Sequence, residues 1–290
     1  MIKNLTFPRF EYSILPKTKL WESTERRKEL KSIAIFNQKG GVGKTTSTVN
    51  ISACLEKEHK AKVLIVDCDS QCNATDYMLT YVEPKPELTI EDYLSGKAGL
   101  DELMVRISTT FRGHLKDTDI YLLPGTNNMD MLDIPDLEFF KTVTKKAEED
   151  KFDYVFFDCP ANLTAPTIAA LTASDYVLTP ARASDFNSLK GYGLIIDTVQ
   201  RIQSTSNLGL KILGIFFNEA SDTRGLDKYL THDGNSMGDI TFKQRIRSAA
   251  AVSDAIFFGR PLVYYKPTAP VTQDFIALTK EMIKKIKKGA

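Results

Sequence analysis

The sequence predicts a doubly wound α/β fold, a mostly parallel sheet with helices on both faces. Two observations carry that expectation. From Lys31 onward, short β-branched or apolar runs alternate with longer helical stretches, and strand, helix, strand in repeated order implies parallel strands joined by covering helices. Several of the runs are continuously apolar rather than alternating, as a strand buried on both faces requires.

SIAIF (32–36) reads as the first strand and runs through a glycine-rich turn into a helix over 45–58. KVLIVD (62–67), DIYLLP (119–124), YVFFD (154–158), YVLTP (176–180) and KILGIFFN (211–218) read as the remaining strands, with helices over 134–149, 184–204 and 269–287. Residues 1–30 hold seven Lys/Arg and four Glu without a clean period. Pro8 and Pro16 interrupt any helix there, so 1–30 is read as an extension and 31–290 as the domain. Thirty residues are too few for a helix-turn-helix domain.

Composition narrows the class. At 290 residues with 42% hydrophobic and 26% charged residues, the chain suits one large globular domain and excludes collagen-like and wholly disordered classes. A net charge of +1 means that attraction to nucleic acid or membrane must come from local clusters. The four cysteines (Cys54, Cys68, Cys72, Cys159) are sparse, and no His stands at ligand spacing from the close pair, Cys68 and Cys72. A reducing cytosol suits them better than a disulfide scaffold. The opening residues lack the apolar stretch of a Sec signal, and no run of 18 apolar residues occurs, so a cytoplasmic protein is expected.

After the first strand comes QKGGVGKTTSTVN. The usual G-x-x-x-x-G-K-[ST] pattern fails because Gln38 occupies its first position. The chemistry of anion binding is nevertheless present. Gly40, Gly41 and Gly43, with Val42 between them, let backbone N–H groups turn toward an anion, and a helix N-terminus near Lys44 adds partial positive charge. Lys44 is placed to reach β/γ-phosphates, Thr45 to ligate Mg²⁺ and Thr46 to donate to the α-phosphate. Three carboxylates follow at strand ends, where ligands of open α/β sheets gather: Asp67 and Asp69 after KVLIV, and Asp158 after YVFF. An apolar strand ending in one Asp is the arrangement that holds a Mg²⁺-bound water.

The run K-G-G-V-G-K-T-T resembles the deviant phosphate-loop signature of the ParA/MinD family of ATPases, and the similarity extends over about residues 31–285. The resemblance implies a P-loop NTPase fold, ATP and Mg²⁺ as cofactors, and a homodimer sandwiching two nucleotides in which Lys39 reaches the partner's ATP. It implies that Asp69 positions the attacking water while Asp67 supports the metal site, so Lys39, Lys44 and Asp69 carry catalysis and Thr45, Asp67 and Asp158 serve the metal. Ser70, Cys72 and Ala161 depart from the residues usual in the family. No N-K-x-D guanine motif follows KILGIFFN, so ATP is favoured over GTP. Asn218 is a candidate for adenine recognition or, equally, a strand-end turn residue.

ParA relatives bind DNA without sequence preference in the ATP state, and a ParB-like partner triggers hydrolysis. Nucleoid association is then expected. MinD relatives instead use a C-terminal amphipathic helix to hold membrane. If ITFKQRIR (240–247) is a strand, Lys243, Arg245 and Arg247 share one face, with Arg224 and Lys228 upstream, as a basic stripe for phosphates. A merely solvated face fits the same pattern. At the C-terminus Val271, Phe275, Leu278, Met282 and Ile286 recur at helical spacing before Lys284, Lys285, Lys287 and Lys288. A core helix with a basic tip is favoured there over a lipid anchor. Partition is therefore the leading expectation, with a membrane-associated positioning ATPase or a weakly hydrolysing localisation scaffold as alternatives.

Overall fold

A computed structural model describes residues 29–80, 82, 86–111, 114–131, 138–183, 187–220 and 240–289. The expected alternation is present. β1 (Lys31–Ile35), α1 (Lys44–His59), β2 (Val63–Asp67) and α2 (Asn73–Leu79) form the first half-turn of the winding. Short helices α3 (Ile90–Leu94) and α4 (Leu100–Leu103) lead to β3 (Val105–Phe111) and β4 (His114–Leu123). Then come α5 (Glu138–Glu149), β5 (Tyr154–Asp158), α6 (Ala165–Thr172), β6 (Tyr176–Arg182), α7 (Asn187–Thr205) and β7 (Lys211–Asn218). The chain closes with α8 (Ala250–Phe257), α9 (Leu262–Tyr265) and α10 (Pro270–Lys287). Residues 1–28 of the N-terminal extension, and Arg224 and Lys228, lie outside the described residues.

The seven strands order as β3-β4-β2-β5-β1-β6-β7. All pairs are parallel except β3 with β4. The sheet has two cores because successive side chains point to opposite faces. Ile33, Ile35, Val63 and Ile65 join α1 and α10 on one face. Ala34, Phe36, Leu64 and Val66 join α5, α6 and α7 on the other. The antiparallel β3 is an addition to the sequence reading. It is an edge strand whose alternation buries Val105 and Ile107 and leaves Arg106 to pair with Asp119 at 2.9 Å.

The C-terminal helix buries its whole apolar stripe: Val271, Phe275, Leu278, Met282 and Ile286 all lie in the core shared with α1. Pro270 opens it at a position where a missing N–H costs nothing.

The segment 240–247 is not a strand, contrary to the conditional expectation. It touches β7 through a single bridge, Ile215 to Thr241, and through Phe242 N–H to Ile215 O (2.7 Å) and Ile246 N–H to Phe217 O (2.8 Å). The reason lies in α10. The Glu281 carboxylate accepts the N–H groups of Lys243 and Gln244, each at 2.9 Å, and Asp274 accepts that of Arg247 at 3.1 Å. Side-chain acceptors thus replace a ladder. The in-out alternation survives: Phe242 and Ile246 are buried and Lys243 and Arg247 exposed.

Candidate functional site

The turn between β1 and α1 is built by its neighbours. Asn37 donates to Pro180 O at 2.8 Å and accepts the Lys39 N–H at 2.9 Å, which ties the loop's entry to β6. Gly43 sits at φ 86, in the left-handed region, as the N-cap of α1. A Cβ there would lie 2.7 Å from Asn218 Nδ2, so both backbone and space demand glycine. Asn218 in turn donates from Nδ2 to Val42 O at 2.8 Å. Lys44 curls back under the loop, Nζ donating to Asn37 O (3.2 Å) and Lys39 O (3.1 Å). Burial pushes its ammonium below the ordinary lysine range, with Asp158 pulling the other way.

Gly40, Gly41, Gly43, Lys44, Thr45 and Thr46 line a pocket of about 480 Å³ together with Asp69, Asn73 and Ala161. Two carboxylates lie beneath it, side by side because Asp67 and Asp158 are register partners on β2 and β5. Asp158 accepts from Thr45 Oγ1 at 2.7 Å and Thr48 Oγ1 at 2.8 Å. Asp67 accepts through Oδ2 from Thr75 N (2.8 Å) and Oγ1 (2.7 Å), and through Oδ1 from Asp69 N (3.2 Å). Desolvation pushes Asp158 up to about 7, and the neighbouring charge of Asp67 adds to the shift. Burial likewise raises Asp67 to about 6, although the bonds from Thr75 oppose it. A buried, mutually repelling acid pair beside a hydroxyl fits a divalent cation. Among the described residues no cluster of three or more His, Cys, Asp or Glu could hold such an ion. The site therefore suits an ion that takes most of its ligands from phosphate and water.

Asp69, half-buried on the pocket wall, accepts the Gln71 N–H at 3.0 Å. Cys72 carries the left-handed backbone (φ 51) that starts α2. Lys39 is exposed at the loop's tip. A second pocket adjoins the loop, lined by Gly43, Thr46, Asn218, Glu219, Ser248 and Val252 among others. Asn218 braces the loop through Nδ2 and stands on the wall of this second pocket.

The profile of a family described as an AAA domain matches residues 30–212. The sporulation initiation inhibitor protein Soj of Bacillus subtilis is 31% identical over 261 residues, covering 87% of this chain and 98% of that protein. The chain belongs to the ParA/MinD family of P-loop ATPases. The chromosome-partitioning ATPase Soj of Treponema pallidum is 30% identical over 254 residues, with 87% and 97% covered. Among solved structures, the septum site-determining protein MinD of Pyrococcus horikoshii, complexed with Mg-ADP, has a TM-score of 0.66 at 25% identity, over 90% of this chain and 99% of that one.

The structure gathers the family's phosphate loop and three carboxylates at one end of the sheet. It does not bring the basic residues of 240–247 into one free stripe. Arg247 forks onto Asp274, Nε to Oδ2 at 2.6 Å and Nη2 to Oδ1 at 2.9 Å, and Arg245 is half-buried. Lys243 remains exposed. Sequence reasoning missed the hydroxyls that hold the acids, Thr48 and Thr75. Thr48 was findable, since it sits one turn after Lys44 on the same helix face. Gly125 was also missed. A Cβ there would lie 3.0 Å from Asp67 O and 3.1 Å from its Cγ, so the second residue after β4 must be small for the acid to sit where it does.

Proposed function

We propose that this protein is a Mg²⁺-dependent ATPase of the partition type, which pairs around two ATP molecules, binds DNA without sequence preference in that state and is reset by slow hydrolysis. The observation that carries the reading is the buried Lys44 and paired acids beneath a loop of inward-facing amides. Thr45, Asp67 and Asp158 would hold Mg²⁺, directly or through water. The ion would neutralise charge on the phosphates. Lys44 leaves its two carbonyl partners for the β/γ-phosphate oxygens, and the helix N-terminus with Thr46 takes the α-phosphate. Asp69 orients the attacking water from the pocket wall. Lys39 of a second copy supplies a further cation, which makes pairing depend on the terminal phosphate.

Asn218 is assigned to the base from its place on the adjoining pocket. DNA contact is assigned to Lys243 and Arg245, with Arg224 and Lys228 outside the described residues and Arg247 contributing only what its bond to Asp274 leaves. A ParB-like protein is the proposed activator, and cytoplasmic, nucleoid-associated localisation follows from DNA binding. Burial of the apolar stripe of α10 supports this reading over a lipid-anchored one.

The deciding test is gel retardation of random-sequence DNA with ATP, ADP and no nucleotide across a salt series. Retardation with ATP alone is expected; none in any state at low salt would overturn the DNA assignment. Lys44→Ala should abolish nucleotide binding, whereas Asp69→Ala should bind ATP and accumulate as a dimer. Hydrolysis by Asp69→Ala at the unaltered rate would remove Asp69 from catalysis.

A further inference from the structure

Arg182 ends β6, the strand beside β1, so it flanks the point where β1 enters the phosphate loop. Its guanidinium Nη2 lies 3.8 Å from where a Cβ on Gly41 would stand. The same nitrogen lies 3.1 Å from Glu219 Oε1, and the two side chains are 42% and 46% exposed. Arg182 and Asn218 are register partners on β6 and β7, so Glu219 follows directly on the residue that braces the loop. Glu219 has φ 54, a left-handed conformation rare outside glycine. Strain of this kind, which clusters at ligand clamps and switches, aims the carboxylate at Arg182 and at the adjoining pocket that Glu219 also lines.

The guanidinium thus stands against the phosphate loop at Gly41, five residues before the Thr46 proposed to hold the α-phosphate, with Glu219 as a carboxylate partner. An exposed ion pair of this kind is weak and exchangeable. A terminal phosphate carries more charge than one carboxylate and matches a guanidinium fork equally well.

We propose that Arg182 reads the terminal phosphate of the bound triphosphate, exchanging Glu219 for a γ-phosphoryl oxygen. The inference rests on the nucleotide-binding function proposed above and adds to it a positioning residue that separates triphosphate from diphosphate. Glu219 is a competitor for the guanidinium in the nucleotide-free state. The exchange also returns an unneutralised carboxylate to the adjoining pocket, so the two pockets are coupled through one side chain.

The test is isothermal titration calorimetry of the full chain with Mg²⁺ and either AMPPNP or ADP. Arg182→Ala should weaken AMPPNP roughly tenfold, the scale of one lost charge-assisted hydrogen bond, and leave ADP unchanged. Arg182→Lys should fall between, since it keeps the charge without the fork. Glu219→Gln should shift the AMPPNP to ADP affinity ratio the other way, by removing the competitor. Equal effects on both nucleotides in Arg182→Ala, or none, would overturn the proposal. Should Arg182→Ala fail to fold, an unchanged ratio in Glu219→Gln overturns it instead. The Lys44→Ala variant separates the two readings. If unaltered protein binds neither nucleotide, the proposed function falls; if it binds both and only Lys44→Ala loses them, the function stands and the role of Arg182 falls.

Discussion

Replacing Gly43 by alanine tests the construction of the phosphate loop without reference to any ligand. At φ 86 a non-glycine residue costs about 1–2 kcal/mol. The new Cβ would also stand 2.7 Å from Asn218 Nδ2, so that amide must move and its 2.8 Å bond to Val42 O breaks. A buried hydrogen bond of this kind is worth about 1 kcal/mol. The sum is about 2–3 kcal/mol, and at about 2–4 °C per kcal/mol for a domain of this size the melting temperature should fall by roughly 5–10 °C. Scanning calorimetry measures it. The Asn218→Ala variant should cost about 1 kcal/mol alone. In the double variant the losses should fall short of their sum by about that amount, because one hydrogen bond is counted in both. A Gly43→Ala protein within about 0.5 kcal/mol of the parent, or strictly additive losses, would refute the account of the loop.

Further expectations concern the acids and the core. Asp67 and Asp158 both titrate above a free carboxylate because burial disfavours their charge, with the neighbouring Asp69 adding to both shifts and Asp67 to that of Asp158. The native state therefore keeps protons that the unfolded chain has released. The associated stability is fully present below the free carboxylate value of about 4 and is lost as pH rises through about 6 and 7. Nucleotide-free protein should melt higher at pH 5 than at pH 8, and Asp158→Asn should flatten that slope; a slope of opposite sign would contradict the pairing. Thr48→Val removes the donor to Asp158 Oδ1 at nearly constant volume and should cost about 1–3 kcal/mol, seen as a lower urea midpoint at unchanged m-value. Phe242→Ala empties a fully buried site against Phe216, whose ring lies 6.3 Å away edge-on. About 3–5 kcal/mol of stability should be lost in the same assay.

The parts of the fold legible in the sequence are those whose physics is local. Strands buried on both faces announce themselves as unbroken apolar runs, and VLIVD and YVFFD end on their acids as read. The last helix shows its buried stripe at Val271, Phe275, Leu278, Met282 and Ile286 because helical period alone determines it. What escaped depends on partners distant in the chain. An alternating pattern over 240–247 suits a strand, yet Glu281 and Asp274 on α10 capture its N–H groups, and no local rule reveals acceptors that far along. The β3 edge was within reach through the alternation of Val105, Arg106 and Ile107. At the site, the glycines, Lys44 and the three acids were readable from motif and strand ends. Arg182 and Glu219 were not, since their meeting depends on β6 and β7 running side by side.

The Gly125 N–H donates to Thr75 Oγ1 at 3.0 Å, and that hydroxyl donates to Asp67, whose other oxygen holds the Asp69 N–H. Two loops and the first turn of α2 are thereby riveted to a single anchored acid. Any movement of the chain after Asp69 must consequently be taken up within the short arc Ser70–Gln71–Cys72, between a tethered amide and the first turn of α2. Ser70 and Cys72, two of the three departures from the residues usual in the family, fall inside that arc, where Ser70 Oγ donates to Asp130 at 2.6 Å and Cys72 carries the left-handed backbone that starts α2.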